Sequence, residues 1–195
     1  MKFEVSDIIK HPVDQVFPTF RDHIAELAQY LPNIETITIL DRQEECDCVH
    51  VTSHWLAKVR LPGPASKLIP EKERGWDDIA IWNNDKQNVD WKFVFQAFPE
   101  AIKMGGTNSF IAEGDHTRLH IKGEAQIDYN RIPGVPNFVL KRIVPTIEKI
   151  AFTALKPNLL KINRGVEKYL SETQTKTKGK KKTQKKTKAK SPRSR

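Results

Sequence analysis

Between Ile34 and Tyr129 the apolar residues of this chain recur at every second position, and that stretch decides most of what the chain can fold into. A period of two puts successive side chains on opposite faces of an extended strand. The segments IETITILDRQ, VHVTSHWLAKVRL, WDDIAIWN, VDWKFVFQAF, IKMGGTNSFIA and TRLHIKGEAQIDY all read this way. Turn-forming residues separate several of them, at Asn84 to Gln87, at Pro99-Glu100 and at Gly114-Asp115. Links this short favour an antiparallel meander. The connection LPGPASKLIPEKERG is longer, and Pro62, Gly63, Pro64 and Pro70 make it read as a flap with room for one turn of helix.

Helical patterns bracket these strands. Phe3 and Val5 alternate with polar neighbours in an opening strand that ends near Lys10, which brings the sheet to about seven strands. Pro12 then suits a first helical position, Asp14 lies in the first turn, and Val13, Val16, Phe17 and Phe20 recur at helical spacing. Pro18 removes a helical hydrogen bond and predicts a bend or split. Asp22 is predicted to cap a second short helix with the apolar face Ile24, Leu27, Ala28 and Leu31, ended by Pro32 and Asn33. Past the turn RIPGVPN, a long helical stripe runs through Val139, Ile143, Ile147, Ile150 and Ala154 and on through Leu155, Leu159, Ile162, Val166 and Leu170. Pro145 and Pro157 predict kinks in it.

Charge divides the chain at Leu170. The formal charge of +9 belongs to the end: residues 171–195 carry +10 and residues 1–170 carry −1. The cationic residues there are Lys176, Lys178, Lys180, Lys181, Lys182, Lys185, Lys186, Lys188, Lys190, Arg193 and Arg195. Set among Thr, Gln and Ser, they have too few apolar neighbours to offset the entropy of ordering, so 171–195 reads as a disordered polybasic tail on a single domain, 1–170. Such a tail would take nucleic acid or an anionic membrane surface as partner. The opening MKFEVSDIIKHPVDQVF has neither the apolar run nor the cleavage site of a secretory signal, and no run of residues is long enough to span a membrane. Cys46 and Cys48 are spaced poorly for a disulfide, so a reducing cytoplasm is the expected location.

A strand, two short helices, about six antiparallel strands and a long final helix is an uncommon order of elements. Together with the opening strand into HPVDQVF, Asp22 at the second helix, and YLPNIETITIL leading into the next strand, it resembles the START-like or SRPBCC superfamily over residues 1–170. The resemblance implies an α+β helix-grip fold, with a curved antiparallel sheet wrapped on a long kinked C-terminal helix and a cavity between them. Its members include lipid carriers, coenzyme-Q-binding proteins, polyketide cyclases and heat-shock-ATPase activators.

Strand parity assigns Val51, Trp55, Trp91, Phe93, Phe95, Met104, Asn108, Phe110, Leu119, Ile121 and Ala125 to the inner face, with Lys58, Arg60, Lys92, Arg118, Lys122 and Glu124 on the wet one. A solid core and a ligand cavity both satisfy that pattern, and the resemblance favours the cavity. Its expected wall adds Phe138, Ile143 and Ile147 from the helical side, and its ligand is a hydrophobic small molecule or lipid. Gly105, Gly106 and Gly123 are read as leaving a void beside a curved sheet. The entrance is expected among Leu61 to Gly75, Asn84 to Gln87 and Ile132 to Phe138.

Little in the sequence points to catalysis. No G-x-S-x-G, H-E-x-x-H, phosphate loop or dinucleotide fingerprint occurs, so no catalytic residue and no cofactor are assigned. Cys46, Cys48, His50 and His54 share parity, but their spacing fits no standard zinc pattern and would spread the ligands over roughly 26 Å, so no metal is assigned. His116 and His120 have no evident nucleophile partner. Asp77, Asp78 and Asp90 read as solvated strand ends. Binding is therefore the leading function. The alternatives are a cyclase- or dehydratase-type enzyme using the same cavity, and an interaction protein acting through its tail.

Overall fold

The computed structural model describes residues 1–58, 70–132, 160–173 and 175. Strand β1 (Lys2–Ile9) leads into helices α1 (Val13–Asp22) and α2 (Ile24–Leu27), the latter extended by a 3-10 turn at Ala28–Tyr30. Six strands follow: β2 (Ile34–Glu45), β3 (Cys48–Ala57), β4 (Gly75–Asn83), β5 (Asn88–Phe95), β6 (Ile102–Glu113) and β7 (His116–Ile127). Helix α3 covers 160–173. All pairings are antiparallel, and the seven strands run in the order β1-β7-β6-β5-β4-β3-β2. This is the helix-grip α+β architecture that the resemblance implies, built on the antiparallel meander that the alternating pattern predicts. No helix among the described residues is long and apolar enough to cross a membrane.

Where the chain leaves β1, the Thr117 hydroxyl donates to the His11 carbonyl at 2.8 Å from a fully buried position. This satisfies a carbonyl that the turn takes out of the ladder. Helix α1 then lays Val16, Phe17 and Phe20 against the sheet. The Phe17 ring meets Trp82 and Phe110 edge-on at 5.4 and 5.3 Å, and Phe20 meets Phe110 at 5.4 Å. These rings make one end of the interior solid.

Three expectations about this region are corrected. Pro18 neither splits nor ends α1, which continues through it to Asp22. A proline inside a helix costs about 3 kcal/mol, and burial of the flanking Phe17 and Phe20 offsets that cost. Pro12 precedes the helix as its N-cap instead of occupying the first turn. Nor does Asp22 cap α2: His23 holds that position with no side-chain cap, and Asp22 accepts from Arg21 at 2.7 and 2.8 Å and pairs with Arg42 of β2 at 3.0 Å. Two guanidinium groups compete for the carboxylate more strongly than a backbone N–H does.

Helix α3 closes the interior through Val166 and Leu170. Polar bonds also tie it down. Asn163 donates to Asp7 of β1 at 2.8 Å, and Glu167 accepts from the Lys10 backbone N–H at 2.8 Å. Tyr30 donates to Glu172 at 2.7 Å, so α3 runs past Leu170 and is held there. Gly165 lies where a Cβ would stand 3.2 Å from Tyr30, which lets α3 approach the short helices closely. The expected kinks at Pro145 and Pro157 and most of the flap between β3 and β4 lie outside the described residues.

Candidate functional site

Every inward position on the middle of the sheet is set by parity, and beside the central strand, β5, lies β4. There Trp76, Asp78, Ala80 and Trp82 alternate with Asp77, Ile79 and Ile81. Register pairs Trp76 with Trp55 and Phe95, and Asp78 with Ser53 and Phe93. Trp55 and Trp76 stack at 5.6 Å, while Trp76 and Phe93 lie 5.7 Å apart. Trp91 continues the row, 4.6 Å from Phe93.

This aromatic floor borders a cavity of about 420 Å³. Among the described residues its wall is completed by Phe3, Phe20, Ile24, Leu31 to Ile34, Val51, Ser53, Ala57, Asp78, Ala80, Trp82, Val89, Met104, Asn108 and Ile121, with Arg21, Lys161 and Ile162 from the helices. The sheet explains why the space is open here and filled elsewhere. Phe17 and Phe110 fill the end near α1, and Trp82, packed against both, marks where the cavity begins.

Of the residues expected on the wall, Val51, Trp55, Trp91, Phe93, Met104, Asn108 and Ile121 line the cavity. Phe110 and Leu119 point inward, at 3% and 2% exposure, but are consumed by packing. Phe95 lies beside the Trp76 ring, 6.4 Å away, and is not among the lining residues. Phe138, Ile143 and Ile147 fall outside the described residues, as do the cationic tail residues Lys176 to Arg195.

Gly123 and Gly106 leave no void. A Cβ on Gly123 would stand 2.4 Å from the Phe3 ring, and one on Gly106 would stand 2.2 Å from the Lys122 carbonyl oxygen and 2.9 Å from the Trp91 ring. Glycine admits the rings at these points. The expected entrance also needs correction. Asn84 to Gln87 joins the far end of β4 to β5, so it lies at the opposite end of the sheet from the β3–β4 connection and from Ile132.

The polar groups of the wall fall into two sets. Asn108 accepts from Trp91 Nε1 at 2.8 Å, and Ser53 accepts from Trp55 Nε1 at 3.0 Å. The second set has no partner among the described residues: Trp76 Nε1 and Asp78 Oδ1 are buried and make no hydrogen bond there. Leaving such a group unmade costs about 1–3 kcal/mol, and more for a charge. Burial alone pushes the Asp78 carboxyl from 3.8 up to about 7, with no neighbouring charge offsetting it.

Asp78 is therefore not a solvated strand end, and the sequence contained a signal that it is not. It stands between Trp76 and Trp82 at even spacing from both, so two bulky apolar residues fix the parity of its strand. Asp77 does face outward and binds His54 Nδ1 at 2.6 Å, and Asp90 accepts from the Thr107 hydroxyl. Cys46 sits in the β2–β3 turn at φ 49° and Cys48 faces Asn83. Among the described residues no three His, Cys, Asp or Glu side chains converge as metal ligands.

No protein-family model matches this sequence, and no curated protein matches it. Solved structures do. A protein from Thermus thermophilus superposes with a TM-score of 0.59 at 16% identity, covering 89% of this chain and 99% of the other. Zhui aromatase/cyclase from Streptomyces sp. R1128 gives 0.56 at 12% identity, covering 87% and 92%. A START superfamily protein from Mycobacterium smegmatis gives 0.53 at 13% identity, covering 87% and 98%. At such identities the likeness is one of fold, and the fold is START-like.

Proposed function

We propose that this chain binds a hydrophobic small molecule or lipid between the sheet and α3. The observation that carries the reading is the cavity of about 420 Å³ floored by Trp55, Trp76, Trp91 and Phe93. Interiors normally pack without voids larger than a water, because an unfilled space forfeits dispersion contacts on every side. Small-molecule pockets run from ~300 to ~1,000 Å³ and combine apolar walls with a few polar groups, which is the composition found here. The basic residues of 176–195 attach this module to a polyanion, with nucleic acid favoured because no apolar wedge accompanies the lysines. The test is a titration of the full chain with fatty acid, sterol and quinone, read by tryptophan fluorescence. A saturable change is expected, since the lining tryptophans report the cavity directly. Absence of any saturable change across that panel overturns the reading.

One observation favours a second reading, an enzyme of the cyclase or dehydratase kind. A carboxyl whose pKa is raised to about 7 inside an apolar cavity suits proton transfer near neutral pH. Its test is turnover that Asp78→Asn abolishes while ligand binding persists.

A further inference from the structure

We infer that Trp76 and Asp78 form a recognition point for a hydroxyl group on an otherwise apolar ligand. This rests on the cavity-binding reading and specifies the chemical class of its ligand.

The two residues are adjacent inward positions on β4, with Cα atoms on the order of 7 Å apart. Both residues border the same space, and among the described residues Trp76 Nε1 and Asp78 Oδ1, buried beside it, have no hydrogen-bond partner. Trp76 Nε1 can only donate, and an ionised Asp78 can only accept. A group that satisfies both at once must accept from one and donate to the other. Hydroxyl does so in one atom, at about 2.9 Å from the indole nitrogen and about 2.7 Å from the carboxylate.

Other polar functions match only part of the time. A ketone has no proton for an ionised Asp78, so it fits only the protonated acid. An amine carries a charge that pairs with ionised Asp78 but has nothing to accept the indole N–H. A hydroxyl serves either form, because it can also accept from a protonated carboxyl. Charged groups elsewhere on the wall do not pre-empt the site. Arg21 is engaged by Asp22 and Asn84, and Lys161 is an exposed residue of α3. On the flanking strands Asp78 faces Ser53, whose hydroxyl is bonded to Trp55 and not to Asp78 Oδ1, and Phe93, which is apolar.

The experiment uses the full chain and displacement of the neutral fluorophore N-phenylnaphthylamine by naphthalene, naphthol, methyl naphthyl ketone and naphthylmethylamine. Within each protein the readout is the ratio of naphthol to naphthalene affinity, so a general weakening of the cavity cancels. In the native chain naphthol is expected to compete about tenfold more strongly than naphthalene, on both sides of neutral pH. Trp76→Phe and Asp78→Leu should each bring that ratio to within about threefold, and the double variant should lose little more, because one hydroxyl bridges both groups. Asp78→Asn, which keeps an acceptor, should retain most of the preference.

A preference that survives in both single variants overturns the assignment while leaving cavity binding intact. So does a ketone that outcompetes naphthol below neutrality, or an amine that does so above it. Failure of the fluorophore and every competitor to bind overturns the cavity reading, and the hydroxyl site with it. Circular dichroism of each variant distinguishes that result from misfolding.

Discussion

Replacing Asp78 by Asn should make the protein more stable at neutral and alkaline pH, by an amount the cavity predicts. The Asp78 carboxyl ionises near 3.8 in the unfolded chain, but only at about 7 when folded, because burial penalises the charged form. Below the lower value both states hold the proton, and the group contributes no pH dependence. As pH rises from there to about 7, the unfolded state releases its proton and the folded state keeps it, so the native chain loses stability across that window. A separation of this size corresponds to roughly 4 kcal/mol once pH exceeds the folded value. Asparagine has the same shape and no titration. Asp78→Asn should match the native chain near the acid end of the window and exceed it by about 3–4 kcal/mol above neutrality. Urea unfolding followed by circular dichroism, at several pH values across the window, measures the difference. Other groups titrate alike in both proteins and cancel from it. Parallel pH profiles for the two proteins would refute the argument, since they would mean that Asp78 is solvated in the folded state.

Three further outcomes follow from the packing. Gly123→Ala places a Cβ against the Phe3 ring, which stands 2.4 Å from that position, and should cost about 1–3 kcal/mol in denaturant unfolding. Arg42→Met removes a partner of Asp22, whose carboxyl is held below its ordinary value chiefly by its hydrogen bond to Arg21 and also by Arg42. The loss should be about 0.5–1 kcal/mol at neutral pH, fading in acid as pH falls through the lowered value, and a loss that persisted unchanged in acid would refute the pairing with Asp22. Deleting residues 176–195 should abolish duplex DNA binding and leave the unfolding midpoint unchanged; in the full chain, log affinity should fall against log salt with a slope of about −0.9 per phosphate neutralised.

The alternation from Ile34 to Tyr129 was sufficient to place all six of its strands to within a few residues, because the face a side chain takes along a strand is a local property. The same parity put Trp55, Trp91, Phe93 and Asn108 on the inside. It also put Phe110 there, and parity could not say that Phe110 would be buried under Phe17 and Phe20 while Phe93 would face open space. That distinction depends on which end of the sheet α1 covers, a contact between segments some ninety residues apart.

Asp78 shows the boundary most sharply. Its composition and its neighbour Asp77 argue for solvent, its spacing from Trp76 and Trp82 argues for the interior, and only the assembled sheet settles which applies. Asp22 is the converse case: its local context argues for a cap, and Arg42, brought across from β2, takes the carboxylate instead. The sequence by itself determined the strands, their faces and the separation of a neutral body from a basic end, because periodicity and charge are carried by residues close together along the chain. Tertiary structure alone decided where the interior is filled and where it is hollow, and which polar groups are left without partners. Those outcomes depend on volumes and distances between segments that are remote in sequence.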